Sequence, residues 1–155
     1  MTEAARPATD ADLPQLAELA EAARDEVRPY RGGEVFTVAR SGRPVAEELK
    51  LALNDPDQLL LAGTLDDVVL GYARVRTDVL PDGRRLGVVE DLFVLDEARS
   101  VGLGETLMDA LLDWCRARGC RGVDAVALPG HRATKNFFEE SGFTARLIVM
   151  YRSLE

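Results

Sequence analysis

Apolar positions along the chain change their period, and each period predicts an element. Leu13, Leu16, Ala17, Leu19, Ala20 and Ala23 recur at helical spacing, so a helix is expected behind Asp10 as its cap, ending before Pro29. Ala5–Thr9, ahead of it, reads as a short first strand. Tyr30-Arg31-Gly32-Gly33 breaks the pattern and predicts a mobile loop. Pro44 then suits the first turn of a second helix, Val45–Leu53, stopped by Asn54-Asp55-Pro56. Next come strand-like runs. Gln58–Thr64 and Val68–Thr77 flank Leu65-Asp66-Asp67 as an antiparallel hairpin, and Pro81-Asp82-Gly83 turns the chain into Leu86–Leu95. After Gly102-Leu103-Gly104, the positions Leu107, Met108, Leu111, Leu112 and Cys115 form one helical stripe, with Arg116 and Arg118 at its C-terminal dipole and Gly119 ending it. Val123–Leu128 predicts a strand, Ala133–Glu140 a short helix closed by Gly142, and Phe143–Arg152 a last strand.

The predicted order is β-α-α-β-β-β-α-β-α-β. Antiparallel strands feeding one β-α-β crossover make an α+β, mixed-sheet pattern rather than a doubly wound one. No repeat, low-complexity tract or linker divides the 155 residues, so residues 1–155 are read as a single domain. Composition narrows the function. Apolar residues make up 46% and charged ones 30%, the balance of a globular chain. The longest stretch without a charge is the eight residues Gln58–Leu65, too short for a membrane-spanning helix. The opening MTEAARPATD lacks an apolar core, so no secretory signal is expected and a cytoplasmic location is. A net charge of −8 argues against nonspecific nucleic-acid binding and suits a cationic or amine substrate. Two cysteines, Cys115 and Cys120, and one histidine, His131, leave no basis for a disulfide framework or a metal site.

Candidate chemistry concentrates in Val88–Trp114, where a strand runs into the loop Arg99-Ser100-Val101-Gly102-Leu103-Gly104 and directly on into a helix. Loop amides beside a helix N-terminus attract phosphate oxygens, glycines at 102 and 104 permit close backbone approach, and Arg99 adds positive charge. A dinucleotide fingerprint G-x-G-x-x-G would need glycine where Leu107 stands, and Asp124 would have to serve as its ribose-binding acid. The preceding antiparallel strands do not belong to that fold.

The loop RSVGLG resembles the Q/R-x-x-G-x-G/A pyrophosphate loop of the GNAT superfamily of acyl-coenzyme A-dependent N-acetyltransferases. HRATKNFFEESGF, His131–Phe143, is similar to that family's second cofactor segment, often N-x-x-A-x-x-F-Y-x-x-x-G-F. The spacing of the two segments and the element order also match. The resemblance implies a GNAT-like central mixed sheet with helices on both faces, and acetyl-coenzyme A as cosubstrate. The strand before the loop should splay from its neighbour, so that amides of Leu92, Phe93 and Val94 bind the pantetheine arm. Amides from Val101, Gly102, Leu103 and Gly104, with Arg99 and Thr106, should hold the pyrophosphate. His131, Arg132 and Lys135 lie near the start of the last helix and can meet phosphate or adenosine; for Arg132 and Lys135 solvated surface charge is the plain alternative.

A thioester is attacked only by a neutral amine, and an alkylamine of pKa ~10.4 is almost fully protonated at neutral pH. A carboxylate can take that proton directly or through a water. Glu90 is the favoured base, on the strand that should hold the acetyl group; Asp91 is the second candidate, and the third reading is that no base is essential. Adjacent strand residues point to opposite faces, so the two should not share one role. An ion pair with Arg84 or Arg85 is the structural reading of either. Two positions depart from the family pattern: His131 replaces the usual asparagine, and Phe138 replaces the tyrosine that often protonates the leaving thiolate. A phenolic acid would then have to come from Tyr30, Tyr72 or Tyr151. By resemblance, the acceptor site should form around the first two helices, with Tyr30, Arg31, Gly32, Gly33 and Glu34, joined by Tyr72 and Arg74.

The sequence thus reads as an N-acetyltransferase that moves an acetyl group to a primary amine, small molecule or peptide, by direct attack. Strand amides would stabilise the oxyanion. A cysteine route is disfavoured because Cys115 and Cys120 lie at the far end of their helix. No metal, nucleic acid or membrane is expected, and a homodimer is common in such proteins. The alternative is a noncatalytic acyl-coenzyme A-binding or regulatory module, for which the missing tyrosine argues.

Overall fold

The computed structural model describes residues 1–40 and 42–155. Its strands are β1 (Glu3–Pro7), β2 (Gln58–Leu65), β3 (Val68–Val79), β4 (Arg85–Val94) and β5 (Cys120–Asp124). Its α-helices are α1 (Leu13–Val27), α2 (Gly33–Arg40), α3 (Val45–Asn54), α4 (Leu103–Ala117) and α5 (Arg132–Glu140). Short 3-10 segments at Asp10–Asp12 and Asp96–Val101 lead into α1 and α4.

The sheet has the order β1-β2-β3-β4-β5, antiparallel up to β4 and parallel between β4 and β5. The β2–β3 hairpin closes through Asp66 and Asp67, both with positive φ (48° and 68°), which matches the twist of the flanking strands. Each face of the sheet carries its own apolar cluster. On one, Leu16, Leu19 and Ala20 of α1 and Val45 and Leu49 of α3 cover Leu60, Ala62, Tyr72 and Phe93. On the other, Leu103, Leu107, Met108, Leu111 and Cys115 of α4 pack with Phe138 of α5 onto Leu61, Ala73, Val75, Val89 and Val94. The chain is thus an α+β fold with a mixed sheet and helices on both faces, as the sequence predicts.

Three expectations need correction. An eight-residue helix, α2, follows directly on Tyr30-Gly33, which is a hydrogen-bonded turn rather than an open loop: Tyr30 N–H donates to Val27 (3.1 Å) and Gly33 N–H to Tyr30 (2.8 Å). The strand expected at Val123–Leu128 lies instead at Cys120–Asp124. Its pairing with β4 stops at Val88, opposite Asp124, and beyond that point the chain parts from β4, which itself runs on to Val94. No strand forms over Phe143–Arg152, and Leu147–Tyr151 are exposed, because no neighbouring strand lies along them. The order is therefore β-α-α-α-β-β-β-α-β-α.

Candidate active site

The register between β3 and β4 slips by one residue. Arg74 faces Asp91 and Val75 faces Val89, leaving Glu90 with no partner across the ladder. Such a bulge re-aims a side chain. It also breaks the alternation assumed from sequence. Val89 packs on the α4 side with Val75, whereas Phe93 and the Asp91 carboxylate lie on the α1–α3 side. Glu90 and Asp91 do share an environment. Arg40 at the end of α2 places Nη2 3.1 Å from Glu90 Oε2 and 3.0 Å from Asp91 Oδ1, and it also donates to the Glu90 carbonyl.

These contacts belong to a chain of alternating charges. Arg24 stands 3.8 Å from Glu48, which bonds Arg74 at 3.1 Å, and Arg74 Nε donates to Asp91 at 3.0 Å. Beyond Arg40 and Glu90, Arg76 donates to Glu90 and to Asp78 (2.6 Å). Burial acts to lower the Arg74 pKa, but Asp91, Glu48 and Glu90 around it reverse this and raise it, so the guanidinium stays charged. The expected partners of Glu90, Arg84 and Arg85, are not the ones it has; Arg85 faces Asp57 instead.

Beside this network, a cavity of about 270 Å³ opens between α1, α2, the outer half of β4 and α5. Glu90, Asp91, Leu92 and Phe93 line one wall, Phe36, Thr37 and Arg40 another, and His131, Thr134 and Phe138 a third. Because β5 pairs with β4 only through Val88, the edge of β4 from Val89 to Val94 is free on that side. Leu92, Phe93 and Val94 belong to this stretch without a β5 partner.

The glycine loop is ordered into the entrance of α4. Gly102 holds φ +86°, a left-handed turn that favours glycine, and no side chain caps the helix behind it. The first intrahelical bond is Thr106 N–H to Gly102 (3.1 Å), so the amides of Leu103, Gly104 and Glu105 have no partner within the helix. The Leu103 side chain is buried in the core and Val101 packs against it, so both can contribute only through the backbone. The Thr106 hydroxyl donates to Gly102 (3.0 Å). Arg99 lies beside this entrance, but its charge is already partnered. It contacts Glu26 (2.9 Å), Asp96 (2.6 Å) and the Val94 carbonyl (2.7 Å), and sits over the Phe93 ring. His131 stacks on Tyr30 with ring centres 4.7 Å apart and shares a hydrogen bond with Thr134 (2.9 Å). Arg132 and Lys135 are exposed on α5, and Lys135 pairs with Glu139.

Of the acceptor candidates, Tyr30 borders the site through His131, and Arg31 and Glu34 are exposed. Gly32 (φ +75°) shapes the turn, and Gly33 packs so tightly that a Cβ would lie 2.0 Å from the Val27 carbonyl. Tyr72 does not belong to the site. It is 1% exposed inside the α1–α3 cluster, and burial, with Asp91 nearby, pushes its phenol well above the ordinary value. Tyr151 is exposed on the C-terminal segment. The Cys115 thiol is buried and pushed up to about 12, which leaves it inert. Sequence reasoning missed Phe36, Thr37 and Arg40, because the helix carrying them is only eight residues long and its valines, Val35 and Val38, face outward rather than into the core. Among the described residues no cluster of ligating side chains suits a metal, and no helix is long and apolar enough to cross a membrane.

A model of the acetyltransferase (GNAT) family matches residues 17–143. No curated protein matches the sequence significantly. Solved structures share the fold at low identity. A tetramutant of the BH1408 protein from Bacillus halodurans superposes with a TM-score of 0.82 at 19% identity, covering 97% of this chain and 99% of that one. AAC(6')-Iy in complex with the bisubstrate analogue CoA-S-monomethyl-acetylneamine gives 0.76 at 18%, covering 99% of each chain. Glucosamine-6-phosphate N-acetyltransferase from Arabidopsis thaliana gives 0.73 at 18%, covering 100% of each.

Proposed function

Because the chain belongs to the acetyltransferase (GNAT) family, we propose that its 155 residues form one catalytic domain that transfers an acetyl group from acetyl-coenzyme A to a primary amine. The observation that carries this reading is the bulge at Glu90, which sets a carboxylate in the cavity wall two residues past the last pairing of β4 with β5. Two features fit the cosubstrate: the uncapped first-turn amides of α4 suit a pyrophosphate, and the free edge of β4 suits an amide-bearing arm. When bound, acetyl-coenzyme A supplies the acyl group activated as a thioester.

In this reading Leu92, Phe93 and Val94 offer backbone groups to the arm, and amides at 103–105 hold the phosphates. Glu90 takes the proton that the amine must lose, at Oε1 or Oε2, directly or through a water. Both oxygens are engaged by Arg76 and Arg40, so an incoming ammonium competes with a guanidinium for the carboxylate. Phe138 lines the cavity without a proton to give, and the leaving thiolate is protonated by solvent. AAC(6')-Iy and the glucosamine-6-phosphate enzyme are named for amine acceptors of sugar type, so aminoglycosides and amino sugars head the panel.

The same two observations support a second reading, a noncatalytic acyl-coenzyme A-binding module: Glu90 is doubly paired and Phe138 lacks a hydroxyl. Calorimetric titration with acetyl-coenzyme A, followed by a thiol-release assay over amino sugars, aminoglycosides, polyamines and peptide amines, separates the two. Turnover on any amine supports the enzyme. Binding with no turnover across the panel supports the module.

A further inference from the structure

The chain carries a net charge of −8, yet the ion-pair network beside Glu90 does not share it. Among the described residues that network holds four carboxylates, Glu48, Asp78, Glu90 and Asp91, and four guanidiniums, Arg24, Arg40, Arg74 and Arg76. Its charges cancel. Glu90 and Asp91 each face two arginines, so neither carboxylate is left over for a further cation.

The spare capacity lies with the guanidiniums. Arg24 of α1 lines the cavity, and its side chain makes one polar contact among the described residues, an ion pair with Glu48 at 3.8 Å. That is too long for a hydrogen bond, so its donors are unspent. Arg40 of α2 lines the same cavity and becomes a second such group once an ammonium takes its place on Glu90.

An ammonium arriving alone would strip Arg40 of its Glu90 partner in a partly buried wall, and breaking such a pair is costly. An acceptor that brings its own anion avoids the loss. Its ammonium goes to Glu90 and its carboxylate or phosphate to the guanidiniums, whose planar fork matches either group. Every charge stays paired through the exchange. A polyamine or an aminoglycoside, with several ammonium groups and no anion, adds unpaired positive charge instead. Size points the same way. At about 270 Å³ the cavity falls below the ~300–1,000 Å³ of sites that take drug-sized ligands. Ala23 and Val27 of α1 and Phe36 of α2, the helices that carry the two arginines, add an apolar wall.

We propose that the acceptor is a small zwitterion, a primary amine carrying its own carboxylate or phosphate, and that Arg24 and Arg40 bind this anion while Glu90 receives the ammonium. The proposal deepens the acetyltransferase reading and rests on it for the fate of the amine, though not for its binding.

The test compares amines that differ in the anion, using the full chain: L-leucine against L-leucinamide, and glucosamine 6-phosphate against glucosamine. Calorimetric titration in saturating coenzyme A gives affinity, and thiol release from acetyl-coenzyme A gives kcat and KM. In at least one pair the anion-bearing member should bind about tenfold or more tighter, the scale of one charged hydrogen bond. The pair that shows it tells carboxylate from phosphate. Arg24→Gln and Arg40→Gln should each shrink that preference several-fold, through KM rather than kcat, and Arg40→Lys should recover part of it. A merely structural role would weaken both members of a pair alike, and a preference left intact in both glutamine variants overturns the proposal. So does equal or tighter binding of leucinamide and glucosamine, or no binding of either anion-bearing amine. Zwitterion binding without turnover of any amine sinks the enzyme reading and supports the anion site. Turnover confined to amines without an anion does the reverse.

Discussion

Arg40 and Glu90 lie 50 residues apart, yet one guanidinium holds both the Glu90 carboxylate, at 3.1 Å, and the Glu90 main-chain carbonyl. The last residue of α2 is thereby tied to the one position where β4 departs from its ladder. A residue freed by a bulge has a main-chain carbonyl to satisfy, and Arg40 supplies the donor.

Replacing Glu90 by Gln keeps its shape and removes its capacity to take a proton. Turnover on a confirmed amine should fall by ~10²–10⁴ at neutral pH, while coenzyme A affinity changes by less than about twofold. Steady-state kinetics with calorimetric titration checks this. Parallel loss of binding and turnover would assign Glu90 to architecture alone.

At Gly104 an added Cβ would sit 3.2 Å from the ring of Phe137 on α5. Gly104→Val should therefore do two things: obstruct the approach of a pyrophosphate, weakening coenzyme A binding by about tenfold or more, and lower the melting temperature through Phe137. Adding Phe137→Leu should recover the melting temperature and leave coenzyme A binding weak. Recovery of both together would mean that the loop does not hold the phosphates.

Phe138 packs against Phe137 and Phe143, with ring centres 5.9 and 5.4 Å away, and it also faces the cavity. A thiol ionises near pH ~8.5, so coenzyme A departs acceptably without a positioned acid. Phe138→Tyr should change turnover by less than about tenfold, or ~1.4 kcal/mol of barrier. Phe138→Leu should cost about 1 kcal/mol of stability before it costs activity. Turnover and thermal unfolding of both variants decide the matter, and a large gain from tyrosine would favour the noncatalytic reading.

Asp12 is held down to about 2 by its hydrogen bond from Arg6, with further help from the Thr9 amide. The folded value lies below the unfolded one of ~3.9, so its contribution is complete above about pH 4 and fades as pH falls towards about 2. Asp12→Asn should therefore be less stable than the parent at pH 6, and the gap should close near pH 2. Urea unfolding across that range measures it, and a gap that persists at low pH would place the effect in packing.

Legibility followed the range of the forces involved. The α4 stripe and the β2–β3 hairpin were readable because helical period and turn chemistry are local. The entrance to α4 was readable for the same reason, since Gly102 shapes it within a few residues. By contrast α2, with Val35, Thr37 and Val38, has weak intrinsic helicity, and its hold on β4 runs through a contact 50 residues away. Tyr72 looked like a site residue because an aromatic on a hairpin reads alike on either face; only packing under α1 and α3 buried it. The bulge is invisible in the sequence, because period-two alternation predicts an unbroken run through Glu90 and Asp91.

The ladder from Val89 to Asp91 passes over Glu90, matching two residues of β4 to the consecutive pair Val75 and Arg74 of β3. Counted this way, the sheet has one residue more than its pairing uses. Excising Glu90 would let Asp91 follow Val89 in plain alternation, with every later side chain on the face it already occupies. The surplus letter in the sequence is the one to which the proposed mechanism gives the proton, and the fold could be spelled without it.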